Sequence, residues 1–317
     1  MPNPNFPTDL ISSTLHKYEK KIRSNILDKD VVLKILKEKA LDEINGGRAL
    51  AYPQIYQTNS TFQSYAGSDE ISLAEQEGLT QAEFPWAQYA GSVVLTGIDE
   101  FKNAASETQI LPLLQARIQQ LEETATQSLG QAIFSAQSGT AMQGLPDLIS
   151  TSNNTVGGIN SSTYSYWRNQ KDSSVSNFGL TMQGVGINAM NAMMKNCTKG
   201  SKAPDVLLTT STIHGYIENV LANNQRFLKD EASWGFSSIP FKGAQIFYDN
   251  NCEAGKIYFI NTDDLRLVLG KGKNFKLMSA ESPANQDIKV WKYLIYLQLV
   301  AKNRRTQGVM SGISSQS

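Results

Sequence analysis

Residues 48–65 read RALAYPQIYQTNSTFQSY, and residues 82–98 read AEFPWAQYAGSVVLTGI. Both alternate apolar and polar side chains, the two-residue period of a strand covered on one face. Leu50, Tyr52, Gln54 and Tyr56 share one side of the first stretch, followed by Thr61, Gln63 and Tyr65. Between the two lies a polar, acidic segment, residues 66–81, so a long hairpin with an extended tip is expected. Pro53 and Pro85 each lack the N–H that a ladder needs, which excludes the middle of a broad sheet. A two-stranded arm is barely stable in water by itself. Support from outside the chain is therefore expected.

On the N-terminal side, residues 8–45 carry a helical period through Leu10, Ile11, Leu15, Tyr18, Ile22 and Ile26, resumed by Val31, Val32, Ile35, Leu36 and Leu41. Lys17, Lys20, Lys21 and Arg23 read as its solvated face, and Asn45-Gly46-Gly47 stops it. On the C-terminal side, Ser106 with Gln109 fits a capping box and Pro112 sits near a helix start. Leu114, Ile118, Leu121 and Leu129 then mark the core stripe of one long helix, from about residue 112 to 137. At ~26 residues it would span roughly 40 Å, the length of a strut. From about 140 to 265 the pattern is a compact α/β unit. Helices are expected over residues 177–195 and 212–227, and strands at DVLLTTS (residues 205–211), 244–248 and 256–261. The remainder is strand-rich, and its apolar run over residues 294–300 is expected beside the strut.

The 317 residues balance 29 Lys and Arg against 29 Asp and Glu. A zero net charge argues against a dedicated nucleic-acid-binding module, which needs a basic surplus. Ser, Thr, Asn and Gln supply about 30% of the chain, an unusually large uncharged polar share. Two cysteines, Cys197 and Cys252, fit a reducing compartment and no disulfide framework. Together with His16 and His214 they form no zinc-ligand spacing. The opening MPNPNFPTDL lacks the basic and apolar regions of a secretion signal, and no uncharged apolar run of about 18 residues occurs. No membrane partner is expected, and no repeat of 20 to 50 residues is visible.

Few motifs invite chemistry. Gly184-Val185-Gly186-Ile187-Asn188-Ala189 matches G-x-G-x-x-A with Asp205 further on, but it lies in a helical pattern, and Asp205 opens a strand where the dinucleotide motif needs an acid closing one. Helix packing is the better account. Gly270-Lys271-Gly272-Lys273 lacks the Walker spacing and reads as a hairpin turn. His214 reads as a surface residue at a helix start, and Met190, Met193 and Met194 as core filler. No catalytic, cofactor or metal residue is expected.

The order of these parts resembles the major capsid proteins of tailed bacteriophages, the Hong Kong 97-like family. The stretches carrying the resemblance are Gly46-Gly47-Arg48 leading into the hairpin, AEFPWAQYAG on its return, the strut LLQARIQQLEETATQSLGQAIF, Gly144-Leu145, and VWKYLIYLQLVAKNRR near the end. The resemblance implies an α+β fold with an N-arm (1–47), an extended E-loop (48–96), a P domain with a spine helix (97–142 and 263–317) and an A domain (143–262). It implies a structural subunit that assembles with itself into hexamers and pentamers of a closed shell and expands as double-stranded DNA fills it. Further implied partners are a portal protein and, in some members, scaffold and decoration proteins; the implied location is the virion, assembled in bacterial host cytoplasm. Some members weld their shells through an E-loop lysine, yet residues 49–95 contain none. A shell of encapsulin type, holding an enzyme cargo, shares the fold. A hydrolase or transferase on the α/β unit is the alternative from another class.

One intersubunit contact is expected from charge. Residues 49–97 hold five acids, Asp69, Glu70, Glu75, Glu77 and Glu83, and no Lys or Arg. The C-terminal region is basic, with Lys302, Arg304 and Arg305 clustered. Docking of the acidic tip, Asp69, Glu70, Glu75 and Glu77, on that cluster of a neighbour would set register.

Overall fold

The computed structural model describes residues 31–104, 113–181, 184–222, 239–272, 276–278, 282–283 and 285–316. The expected helix over residues 8–30 and the capping pair Ser106 and Gln109 lie outside them.

Helix α1 (Val31–Lys39) is followed by β1 (Leu41–Ile44), the arm strands β2 (Leu50–Ile55) and β3 (Leu79–Phe84), then β4 (Ala87–Thr96), α2 (Gly97–Ala104) and α3 (Leu113–Ile133). A short helix α4 (Leu145–Leu148) leads to β5 (Thr155–Val156), β6 (Ile159–Asn160), β7 (Gln170–Asp172), α5 (Val185–Cys197), β8 (Val206–Thr209) and α6 (Ser211–Ala222). Strands β9 (Ile239–Phe241), β10 (Ala244–Tyr248), β11 (Ile257–Ile260), β12 (Leu265–Gly270), β13 (Lys276–Leu277), β14 (Ile288–Ala301) and β15 (Gly308–Met310) complete the chain.

The first sheet runs β1-β12-β14-β13, with β4 also on β14. β4 and β14 pair antiparallel from Ile288↔Thr96 to Leu297↔Ala87. One face of this ribbon carries Tyr293, Ile295, Leu297 and Leu299, all buried. The spine helix α3 crosses that face, because its own apolar stripe can be covered only there. Gly91 on β4 makes the crossing close: a Cβ at that position would stand 2.6 Å from Leu121 Cδ1.

The second sheet runs β7-β15-β11-β8-β10-β9. Every residue of β8 and of β11 is buried, as expected for strands covered on both faces. Leu207 packs with Ile187, Met190 and Ile217 of α5 and α6. Val206 and Leu208 point the other way, into the core shared with α1 and the first sheet. Alternation along a single strand thus joins the two halves of the molecule.

Several expectations are corrected. Residues 41–44, read as helix, form β1 in parallel register with β12, Leu41 opposite Leu267; the charged pattern LDEI is compatible with an edge strand as well as a helix. The strand expected through Ile98 stops at Thr96, where Thr96 Oγ1 accepts the Asp99 N–H and α2 begins. The spine helix ends at Ile133, not near 137. Of its expected core residues Leu129 is buried, while Leu114, Ile118 and Leu121 are half-buried on this single chain. Helix α5 starts at Val185, not 177. Finally, β15 pairs with β11 and β7 in the second sheet. The chain's last strand therefore returns to the second sheet.

Candidate assembly surface

Strands β2 and β3 pair in register from Leu50↔Phe84 to Ile55↔Leu79. Pro53 is tolerated there because this ladder has only two strands. Past residues 55 and 79 no strand pairing continues, and residues 56–78 form the tip. Its turns are closed by its own side chains. Asn59 Oδ1 accepts the Thr61 N–H at 2.8 Å, and Asp69 Oδ2 accepts the Ala66 N–H at 2.8 Å.

The root of the arm is held on two sides. Lys302 Nζ lies 2.8 Å from Asp42 Oδ2 and 5.6 Å from the centre of the Tyr52 ring, and its carbonyl accepts Gln54 Nε2–H at 2.7 Å. Trp86 Nε1–H donates to the Gly47 carbonyl at 3.0 Å, where Gly46 and Gly47 take φ of 61° and 115°. On the other side Glu83 N–H donates to Gly157 O at 3.0 Å, and the Tyr56 ring stacks on Tyr166 at 5.3 Å. Gly157 is required there: φ is +59°, and a Cβ would meet Ala82 Cβ at 2.9 Å.

The tip itself is bare. Phe62 is 95% exposed and Leu73 94%, with Ile55, Tyr65, Ile71 and Leu79 also exposed. Large apolar side chains gathered on a thin projection mark a contact surface more than a solvated loop. Asp69, Glu70, Glu75 and Glu77 are exposed among them.

Of the basic residues expected to meet those acids, Arg304 does not reach the surface. Arg304 is fully buried: Nε–H donates to Leu148 O at 2.8 Å, and Nη2–H to Asn154 Oδ1 at 2.8 Å and Asn169 Oδ1 at 3.0 Å. Burial pulls its pKa down to about 10, so it remains a cation at neutral pH, held by neutral carbonyls. Lys302 is engaged with Asp42, and Arg305 donates to the Asn196 carbonyl. Arg304 is thus the centre of a polar knot between the two sheets.

The remaining motifs resolve as packing. Gly186 gives room to the Phe178 ring, which a Cβ would approach to 2.4 Å. Asp205 accepts the Thr262 N–H and Oγ1–H and pairs with Lys39 at 3.2 Å. Both cysteine thiols are buried, and burial pushes them up to about 12. His214, expected on the surface, is buried, its ring 5.1 Å edge-on from Tyr248 and Nδ1 3.4 Å from Glu218. Burial lowers its pKa from 6.5, opposed in part by Glu218. The unfolded chain therefore takes up the proton first, and stability falls as pH drops below about 6.5 until the folded-state pKa is passed. We expect the urea midpoint of the unassembled subunit to fall between pH ~7.5 and ~5, and His214→Phe to flatten that slope. An unchanged slope in the variant would place the titration elsewhere.

A sheet crossed by a spine helix, a second sheet backed by two helices, and an outlying two-stranded arm make up an α+β fold of the Hong Kong 97-like kind. Solved structures match it nearly end to end. The capsid asymmetric unit of cyanophage A-1(L) has a TM-score of 0.70 at 16% identity, covering 95% of this chain and 97% of that one. The capsid of a native GTA particle has 0.65 at 8%, covering 99% and 100%. The encapsulin of the holo-SrpI complex from Synechococcus elongatus PCC 7942 has 0.63 at 10%, covering 96% and 95%. No protein-family model and no curated protein matches the sequence.

Sequence reasoning found the arm but missed what its root touches. Tyr164 and Tyr166 follow a two-residue spacing in STYSYW, and Tyr56 ends the first alternating stretch. That alternation was the available signal; nothing in it joined residues 110 positions apart.

Proposed function

We propose that the chain is a major capsid protein of the tailed-bacteriophage kind, a structural subunit that assembles with itself into an icosahedral shell enclosing double-stranded DNA. The observation that carries this is the arm: a projection with Phe62 and Leu73 almost wholly exposed, on a fold otherwise seen in capsid and encapsulin subunits. Such surface is costly for a lone protein and useful to one whose neighbour covers it. The E-loop then lies on an adjacent subunit, with Asp69, Glu70, Glu75 and Glu77 in the contact. A portal protein, scaffold or decoration proteins and packaged DNA are further partners, and assembly in the host cytoplasm is part of the same reading. Zero net charge suits a wall that encloses DNA without gripping it. The role is read as non-enzymatic, in keeping with the capsid and encapsulin subunits that share the fold.

Electron microscopy of the purified protein tests this. Closed shells are expected, and on denaturing gels they should give one band near 34.9 kDa, because the E-loop has no lysine to weld. A persistent monomer under all assembly conditions sinks the reading; a ladder of multimers sinks the uncrosslinked shell. The likeness to an encapsulin supports one rival, a cellular compartment, and an enzyme cargo co-purifying inside the particles would favour it.

A further inference from the structure

We infer that the cleft at the arm root is a receptor for a cationic side chain, arginine or lysine, of a second copy of this chain; the inference rests on the shell reading and names one contact within it. The cleft is an open space of about 370 Å³ between β3 and the β5–β6 turn. One wall is aromatic: Tyr56 and Tyr166 stack at 5.3 Å, and Tyr164 leans on Tyr166 at 5.8 Å with 47% of its surface exposed. The opposite wall is β3, with Thr80 hydrogen-bonded to the Tyr166 side chain and Glu83 beside it. The floor is the backbone of Gly157 and Gly158, both at positive φ.

Tyrosine faces attract cations through the ring quadrupole, and a carboxylate at the same site supplies the hydrogen-bonded counter-charge. Glu83 is positioned for that: Gln81 Nε2–H holds its Oε1 at 2.6 Å, and a carboxylate has further acceptor sites to offer. No basic residue lines the cleft. An anion would meet an arm carrying five acids and no base. An apolar ligand would cover the Glu83 carboxylate and supply no counter-charge. A planar guanidinium, able to stack and to pair at once, fits best.

The chain's own neighbouring cations are engaged. Arg168 donates to the Ser161 and Ser162 carbonyls, and Lys302 pairs with Asp42. A second copy is the favoured source on charge. The whole chain is neutral while residues 49–97 carry five negative charges, so the rest of every copy is five positive. Arm and body are complementary between copies, and opposite potentials of this kind fix register and speed encounter.

The test replaces Tyr164 by the photoreactive p-benzoylphenylalanine and irradiates shells assembled from mixed isotopically light and heavy subunits. Cross-links joining a light and a heavy peptide, the captured one bearing Arg or Lys, are expected. In parallel, Tyr164→Ala with Glu83→Gln should leave the subunit folded, since Glu83 is exposed and Tyr164 lies outside the core at 47% exposure. It should raise the subunit concentration needed for shells about tenfold, equivalent to about 1.4 kcal/mol, and make that threshold less sensitive to salt. Shells that form normally, with cross-links only inside one chain or to peptides without a base, overturn the cleft and leave the shell reading standing. Wild-type protein that never forms shells overturns both.

Discussion

Arg304→Met is expected to cost about 3 kcal/mol or more, roughly 1–3 kcal/mol for each acceptor left unpaired, and to leave the subunit insoluble or protease-sensitive. A whole domain is stable by only ~5–15 kcal/mol, so this is a large fraction. The guanidinium donates to Leu148 O, Asn154 Oδ1 and Asn169 Oδ1. The acceptors are themselves held in place, Asn154 Nδ2–H donating to Asp147 O and Asn169 Nδ2–H to Ser150 O, both near 2.8 Å. Removing the hub leaves three acceptors facing a side chain with nothing to donate, in a place water does not reach. Around it Thr306 donates to Asp264, and Gln307 and Asn261 exchange two bonds at 3.0 Å. This knot fastens the end of β14 to the loop carrying β5 and β6. Arg304→Lys keeps the charge but not the fork, and should lose about 2 kcal/mol. Urea denaturation of the unassembled subunit measures both; a midpoint unmoved in Arg304→Met would mean the side chain is not buried.

The same residue shows where sequence reading stops. Arg304 and Arg305 follow a long strand, and consecutive arginines are ordinarily solvated, so a basic surface was expected. What buries Arg304 is a set of neutral carbonyls from positions more than 130 residues away, to which no periodicity points. His214 failed for a related reason: a helix start is usually exposed, but Tyr248 on β10 covers this one. Conversely, the arm strands, β8 and the spine helix were legible because two- and 3.6-residue periods register burial of one face directly. Boundaries slipped where the pattern is neutral, as at Leu41–Ile44, where only the backbone of β12 chooses strand over helix. The large Ser, Thr, Asn and Gln content has structural uses that composition alone does not reveal. Part of it closes the polar knot, and part closes the turns of the arm tip.

Phe62→Asp together with Leu73→Asp is expected to abolish assembly while leaving the subunit folded. Both side chains are more than nine-tenths exposed on the single chain, so neither contributes to its core, and melting of the unassembled subunit should not change. On a neighbour they would act as the apolar anchors of the contact. Buried anchors commonly carry about 2 kcal/mol or more each, and burying a Leu or Phe side chain is itself worth roughly 1.5–3 kcal/mol. Losing two, and adding two charges that must be desolvated, weakens each contact by about 4 kcal/mol or more, close to a thousandfold. Every subunit in a closed shell makes this contact, so the loss falls on each one. The acids among them predict something smaller. Glu75→Lys with Glu77→Lys alters exposed charges worth ~0–1 kcal/mol apiece, so shells should still form, with a changed salt dependence. Sedimentation of the two variants beside the wild type separates the contributions. Normal shells from Phe62→Asp with Leu73→Asp would show that the tip stays in solvent; failure of the charge variant alone would show that the acids, and not the apolar side chains, hold the arm to its neighbour.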